Sequence, residues 1–277
     1  MTKRTFKNFL RSAILIILSV AMVAFHVGCD EADNNTNIYT YVDDAVPVGA
    51  IGDVENFETS DETPLKKRVA ITFDDGPHNV FTQAIVDELD KYGFHATFFV
   101  VGNRVDGSEY GGGKTIPYIL EHGNEIGIHG YTHAVNYSKC DDATYEYELS
   151  ETLNAIHKYA EDCKVTLMRP IGGNITDKRI AECDYSVIMW NVDSEDWKHK
   201  YESSDTDAEA AAKVNTIVEN VMSTVSDGSI ILLHDIHRSS VDASVKILER
   251  LYSEGYEVVT VSELLGETQA GVKYSRK

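Results

Sequence analysis

The sequence predicts an α/β fold built on a parallel sheet that closes into a barrel. From Val69 onward, short apolar runs alternate with amphipathic segments about seven times, the pattern of strands joined by crossover helices. The chemically versatile residues then fall into register with that alternation. Asp74-Asp75, His129, Arg169, Asp193 to Asp196 and His234-Asp235 each stand just after a strand, on the rim where α/β barrels gather their sites. Several strands feeding one rim favour a barrel over an open, doubly wound sheet.

The elements follow in order. Val69 to Phe73 is a buried strand, and Val80, Phe81, Ala84, Ile85 and Leu89 recur at helical spacing until Gly93 ends the helix. Ala96 to Val101 is a second strand, Ile116 to His122 a short helix closed by Gly123, and Glu125 to Ile128 a third strand. Helix Asp142 to Ala160 leads to strand Val165 to Met168, and a short helix near Thr176 to Glu182 leads to strand Tyr185 to Trp190, with Trp190 assigned to the core. Asp207 to Val225 is a longer helix with Val214, Ile217, Val218 and Val221 on one side. Strand Ser229 to Leu233, helix Val241 to Glu254 and strand Glu257 to Val259 complete the pattern, and the chain after Leu265 reads as a loose tail.

The chain has 277 residues, 43% hydrophobic and 25% charged, enough apolar surface for a substantial core. Its 45 acidic against 25 basic residues leave a formal charge of −20, which argues against nucleic-acid binding. Lys3, Arg4, Lys7 and Arg11 precede a charge-free apolar run from Ala13 to Phe25. That run suits a signal-peptide core better than a membrane span, so residues 1–28 are expected to be a signal peptide or membrane anchor. Val27-Gly28-Cys29 resembles a bacterial lipoprotein signal, in which the Cys is acylated, although His26 stands where that pattern prefers Leu. Lipid on Cys29, simple cleavage and an uncleaved anchor remain open. Residues 29–65 read as an acidic spacer, 66–266 as the main globular domain and 267–277 as a C-terminal tail. Of Cys140, Cys163 and Cys183, the last two each precede a strand, which favours their pairing.

Two constellations carry chemistry. Thr72-Phe73-Asp74-Asp75-Gly76-Pro77 puts two adjacent carboxylates at a strand end. One can ligate a metal while the other acts as a base, although the stretch alone also fits a turn whose Asp caps the next helix. His129 and His133 have i, i+4 spacing, which on one helical face would bind a divalent ion. With an Asp they form a His-His-Asp set suited to Zn²⁺ and also to Co²⁺, Ni²⁺, Mn²⁺ or Fe²⁺.

With these residues the chain resembles the polysaccharide deacetylases of carbohydrate esterase family 4, the NodB-homology domain, over about Val69 to Leu265. The first two stretches match the family's first two motifs, with Gly130 where Ser or Thr is usual. Arg169-Pro170-Ile171-Gly172-Gly173, Asp193-Ser194-Glu195-Asp196-Trp197 and Leu232-Leu233-His234 resemble the other three, in order. The resemblance implies a distorted (β/α)₇ barrel, with Asp74 as general base, Asp75, His129 and His133 as metal ligands, and His234 as general acid. It further implies that Arg169 orients Asp74, that Asp196 hydrogen-bonds His234, and that Trp197 and Leu232 wall an acetyl pocket. A backbone N–H near Gly172 would stabilise the oxyanion.

The implied partner is an acetylated polysaccharide: peptidoglycan or a chitin-like polymer for an N-deacetylase, acetylated xylan for an O-deacetylase. A catalytically silent glycan-binding lipoprotein is the reading from another class. Gly172 removes the aromatic usual at its position, and Asp106 to Lys114 reads as an enlarged rim loop.

Overall fold

The computed structural model describes residues 66–107 and 111–277. The expected leader, Cys29 and the acidic spacer lie outside the described residues. The first strand, β1 (Lys67–Asp74), is buried from Val69 to Asp74. After it come α1 (Phe81–Asp90), β2 (Thr97–Val100), α2 (Gly102–Asp106), α3 (Gly112–Glu121), β3 (Glu125–Ile128), α4 (Asp142–His157), β4 (Leu167–Met168) and α5 (Asp177–Ala181). The remainder is β5 (Ser186–Ile188), β6 (Val192–Asp193), α6 (Asp207–Met222), β7 (Ile230–His234), α7 (Arg238–Ser253), β8 (Tyr256–Val259), α8 (Val261–Leu265) and β9 (Lys273–Tyr274).

Among the described residues nine strands form one curled sheet in the order β6-β7-β1-β2-β3-β4-β5-β9, with β8 pairing the first half of β1. Every ladder between these strands is parallel, as crossover helices require. The fold is thus the expected (β/α) barrel type. Side chains alternate across β1, because successive residues of a strand face opposite ways. Val69, Ile71 and Phe73 join the large core under the helices, where Phe73 stacks on Phe98 with ring centroids 5.1 Å apart. Ala70 points to the opposite side, toward Phe99, Leu167, Ile188 and Ile230. Thr72 and Asp74 share that inner face.

The register carries the site. β1 and β7 pair so that Asp74 lies opposite His234. Ile128 pairs with Met168, which sets His129 and Arg169 side by side at the next position. Asp193 pairs with Leu232. The five strand ends therefore open onto one rim.

Several expectations change. Residues 112–114 form the first turn of α3 rather than a loop, and Gly112 is fully at home there because a Cβ would collide with the Val105 backbone. The segment after Leu265 is held: β9 pairs with Val187 and Ile188, and Arg276 bridges to Ser229. Cys140, Cys163 and Cys183 are free thiols, so the expected Cys163–Cys183 bond is not formed. β4 begins only at Leu167, so Cys163 sits in the turn after α4 rather than at a strand start.

Candidate active site

Asp74 closes β1 and is 3% exposed. A carboxylate so buried needs charge-assisted partners. Arg169, fully buried, donates from Nη1 to Asp74 Oδ1 at 2.8 Å and to Thr72 Oγ1 at 2.7 Å. Its remaining donors reach the carbonyls of Ile188 and Met189, and its guanidinium lies 4.3 Å from the Phe99 ring centroid. The position of Asp74 is thereby fixed from inside the barrel. Burial pulls the Arg169 guanidinium down from its ordinary value, against the charge of Asp74.

Asp75 turns the other way. It adopts a left-handed backbone (φ 73°), as does His133 (φ 57°). Among the described residues only Glu195 shares that feature outside glycine, and such strain concentrates where a site demands it. Asp75 Oδ1 lies 2.8 Å from His133 Nε2 and 3.4 Å from His129 Nε2. Neither approach has hydrogen-bond alignment, so this buried oxygen is unpartnered. One ligand atom from each of the three residues lies within 4.8 Å of the other two. His129 Nδ1 donates to the Arg169 carbonyl at 2.9 Å, which turns the Nε2 lone pair toward Asp75. Burial opposes ionisation of Asp75, yet the imidazoles of His129 and His133 hold its carboxyl well below the usual carboxylate range. An orphaned buried oxygen beside two inward-facing imidazole nitrogens fits a divalent cation with mixed N and O ligands.

His129 and His133 do not share a helical face, as their spacing suggested. They bracket a loop in which Gly130 has φ +90°. A Cβ on Gly130 would overlap the Tyr137 hydroxyl and stand 3.1 Å from Glu148 Oε2, so the Ser or Thr usual there has no room.

Opposite Asp74, His234 donates from Nδ1 to Asp196 Oδ1 at 2.7 Å, and its backbone N–H donates to Asp196 Oδ2 at 2.8 Å. Asp196 is fully buried. Burial lowers the proton affinity of His234, but the bond to Asp196 and the charges of Asp196, Asp74 and Asp75 raise it to about 9. His234 is thus a charged donor that lines the same cavity as Asp74.

These groups line a cavity of about 330 Å³ together with Gly172, Trp197 and Leu232. All ten residues singled out from sequence therefore meet here, with Arg169 and Asp196 behind the wall. The sequence reading missed Trp190. It is half-buried and lines the cavity, with Nε1 donating to Asp193 Oδ2 at 3.3 Å. β5 stops at Ile188, so Trp190 sits on the rim and not in the strand. Also missed was a buried carboxylate behind the loops, Glu148, while Asp235, placed on the rim from sequence, is itself buried.

Comparison with known proteins identifies the family. The family described as polysaccharide deacetylase matches residues 61–187. The peptidoglycan-N-acetylmuramic acid deacetylase PdaC of Bacillus subtilis is 37% identical over 73% of this chain and 39% of its own length. A peptidoglycan-N-acetylglucosamine deacetylase of Bacillus cereus is 35% identical over 72% of this chain and 89% of its own length. The solved structure of PdaC superposes with a TM-score of 0.64, covering 73% of this chain and 91% of that one. A family 4 acetyl xylan esterase from Clostridium thermocellum, in complex with a cobalt ion, is 30% identical and gives 0.65 over 76% of this chain and 98% of that one. The chain belongs to the polysaccharide deacetylase family. It spans about two fifths of the length of PdaC.

Proposed function

We propose that this chain is a divalent-metal-dependent deacetylase that hydrolyses N-acetyl groups of N-acetylglucosamine units in a cell-wall or chitin-like polysaccharide. The observation that carries this reading is that a buried carboxylate, Asp74, and a charged imidazole, His234, line the same cavity as the Asp75, His129 and His133 cluster. Peptidoglycan is the polymer favoured by the activities of the Bacillus relatives.

Asp75, His129 and His133 would hold the ion, with zinc favoured by the donor set. When bound, it would polarise the acetyl carbonyl and acidify the attacking water. Asp74, held by Arg169, accepts the proton of that water. His234, oriented by Asp196, donates its Nε2 proton to the departing amine. The wall of Trp197 and Leu232 confines the acetyl group, and the backbone at Gly172 supplies an N–H toward the developing oxyanion. In this reading residues 1–28 direct export, residues 29–65 space the domain from the membrane, and the enzyme acts outside the cell. Among the described residues no helix is long and apolar enough to cross a membrane.

O-deacetylation of xylan is the second reading, supported by the likeness to the acetyl xylan esterase. Acetate release from N-acetylglucosamine oligomers, peptidoglycan and acetylated xylan separates the two. Asp74→Asn is expected to abolish turnover while retaining bound metal. Full activity in that variant would refute the base assignment, and no acetate from any glycan would favour a silent binder.

A further inference from the structure

His129 and His133 are secured differently. The ring of His129 is fixed by the Arg169 carbonyl, a second partner behind the ligand nitrogen. The ring of His133 is 40% exposed, and among the described residues its one ion-pair partner is Asp75. Its position therefore depends on the backbone of the loop, which is left-handed at His133 and has no helical hydrogen bonds of its own.

One buried side chain supplies what the loop lacks. Glu148, on α4 and 1% exposed, accepts from the Tyr131 N–H at 2.7 Å and the Thr132 N–H at 2.9 Å, both at Oε2. Its Oε1 accepts from the Thr132 hydroxyl at 2.5 Å. From the opposite side, the first amides of α2 hold the loop's carbonyls: Gly102 N–H donates to Gly130 and Asn103 N–H to Tyr131, each at 2.9 Å. Desolvating a carboxylate is costly unless several donors meet it, and all three donors to Glu148 come from the residues between the two imidazoles.

We propose that Glu148 is a positioning residue that clamps the loop between His129 and His133 and so sets the affinity of that pair for a divalent ion. The proposal rests on the reading of these residues as metal ligands. Partners behind metal ligands typically change affinity by about 10- to 100-fold when removed. Glu148→Ala is expected to fall in that range, and Glu148→Gln, which still offers one acceptor oxygen to the amides, to recover most of the loss.

The test is a chelator-competition titration of the purified full chain with Zn²⁺, alongside the absorption spectrum of the Co²⁺-loaded protein and the Tm of the metal-free form. Leu149→Ala is the control: it unpacks the same helix from its apolar side and is expected to lower Tm while leaving the zinc Kd within about twofold. Wild-type affinity in folded Glu148→Ala, or an equal loss in Leu149→Ala, would overturn the proposal. Should Glu148→Ala fail to fold, Thr132→Val removes one of the three bonds and is expected to weaken zinc about fivefold; unchanged affinity there would also overturn it. If wild type itself binds no divalent ion, the proposed function fails first, and the two failures are distinguishable.

Discussion

Replacing Asp196 by Asn removes the charge that holds the proton on His234 while keeping the size of the side chain. Burial alone would pull this imidazole below its ordinary 6.5, and Asp196 with the neighbouring carboxylates carries it up to about 9. That difference corresponds to roughly 3 kcal/mol in favour of the protonated ring. Asp196 makes both hydrogen bonds to His234 and is the first of the charges acting on it. The alkaline limb of the kcat profile is therefore expected to move from near pH 9 to pH 6.5 or below. At pH 8 a group of pKa 9 is roughly 90% protonated and one of 6.5 about 3%, so turnover should fall about 30-fold there and much less at pH 6. Stability follows the same group. Its folded value lies above its unfolded one, so its contribution is complete below about pH 6.5 and is lost as pH rises through about 9. The assay is acetate release from an acetylated chito-oligomer between pH 5.5 and 10, with thermal melts over the same range. An alkaline limb that stays near pH 9 in Asp196→Asn would refute the assignment of that limb to His234.

Other expectations are more local. Burial raises the Asp235 carboxyl to about 7, so its cost to the fold grows as pH rises from about 4 through 7; Asp235→Asn should melt above wild type at pH 8 and converge with it only near pH 4. A Cβ on Gly76 would overlap the Asp235 carboxyl, so Gly76→Ala should cost about 1–3 kcal/mol in denaturant unfolding. Phe73→Ala, at the centre of the helix-side core, should cost about 3–5 kcal/mol. Trp197 is half exposed at the mouth of the cavity; Trp197→Ala should raise KM for oligomers several-fold while leaving the melting temperature within a degree or two.

Much of this site was legible because a parallel strand advertises its end. Thr72-Phe73-Asp74-Asp75 and Leu232-Leu233-His234 show an apolar run stopping at a charge, and the register of β1 with β7 converts those two endings into a facing acid and base. Linear spacing was a poorer guide at His129 and His133. Their i, i+4 interval mimics a helix, but Gly130 at φ +90° and the carboxylate of Glu148 hold the loop open. Glu148 itself lies between Tyr145, Leu149 and Thr152 on the buried side of α4, so its only trace in sequence is a charge on an apolar stripe. The last residues looked unstructured because β9 is two residues long and owes its conformation to β5, a contact that local sequence does not reveal. Trp190 was misplaced by two residues of strand length.

The most direct measurement is anomalous diffraction from crystals of the chain grown with Zn²⁺ or Co²⁺. One ion per chain is predicted, bonded to Asp75, His129 and His133, with Asp74 and His234 flanking it and unbonded. An ion bound elsewhere, or these three side chains left without one at saturating metal, would contradict the account.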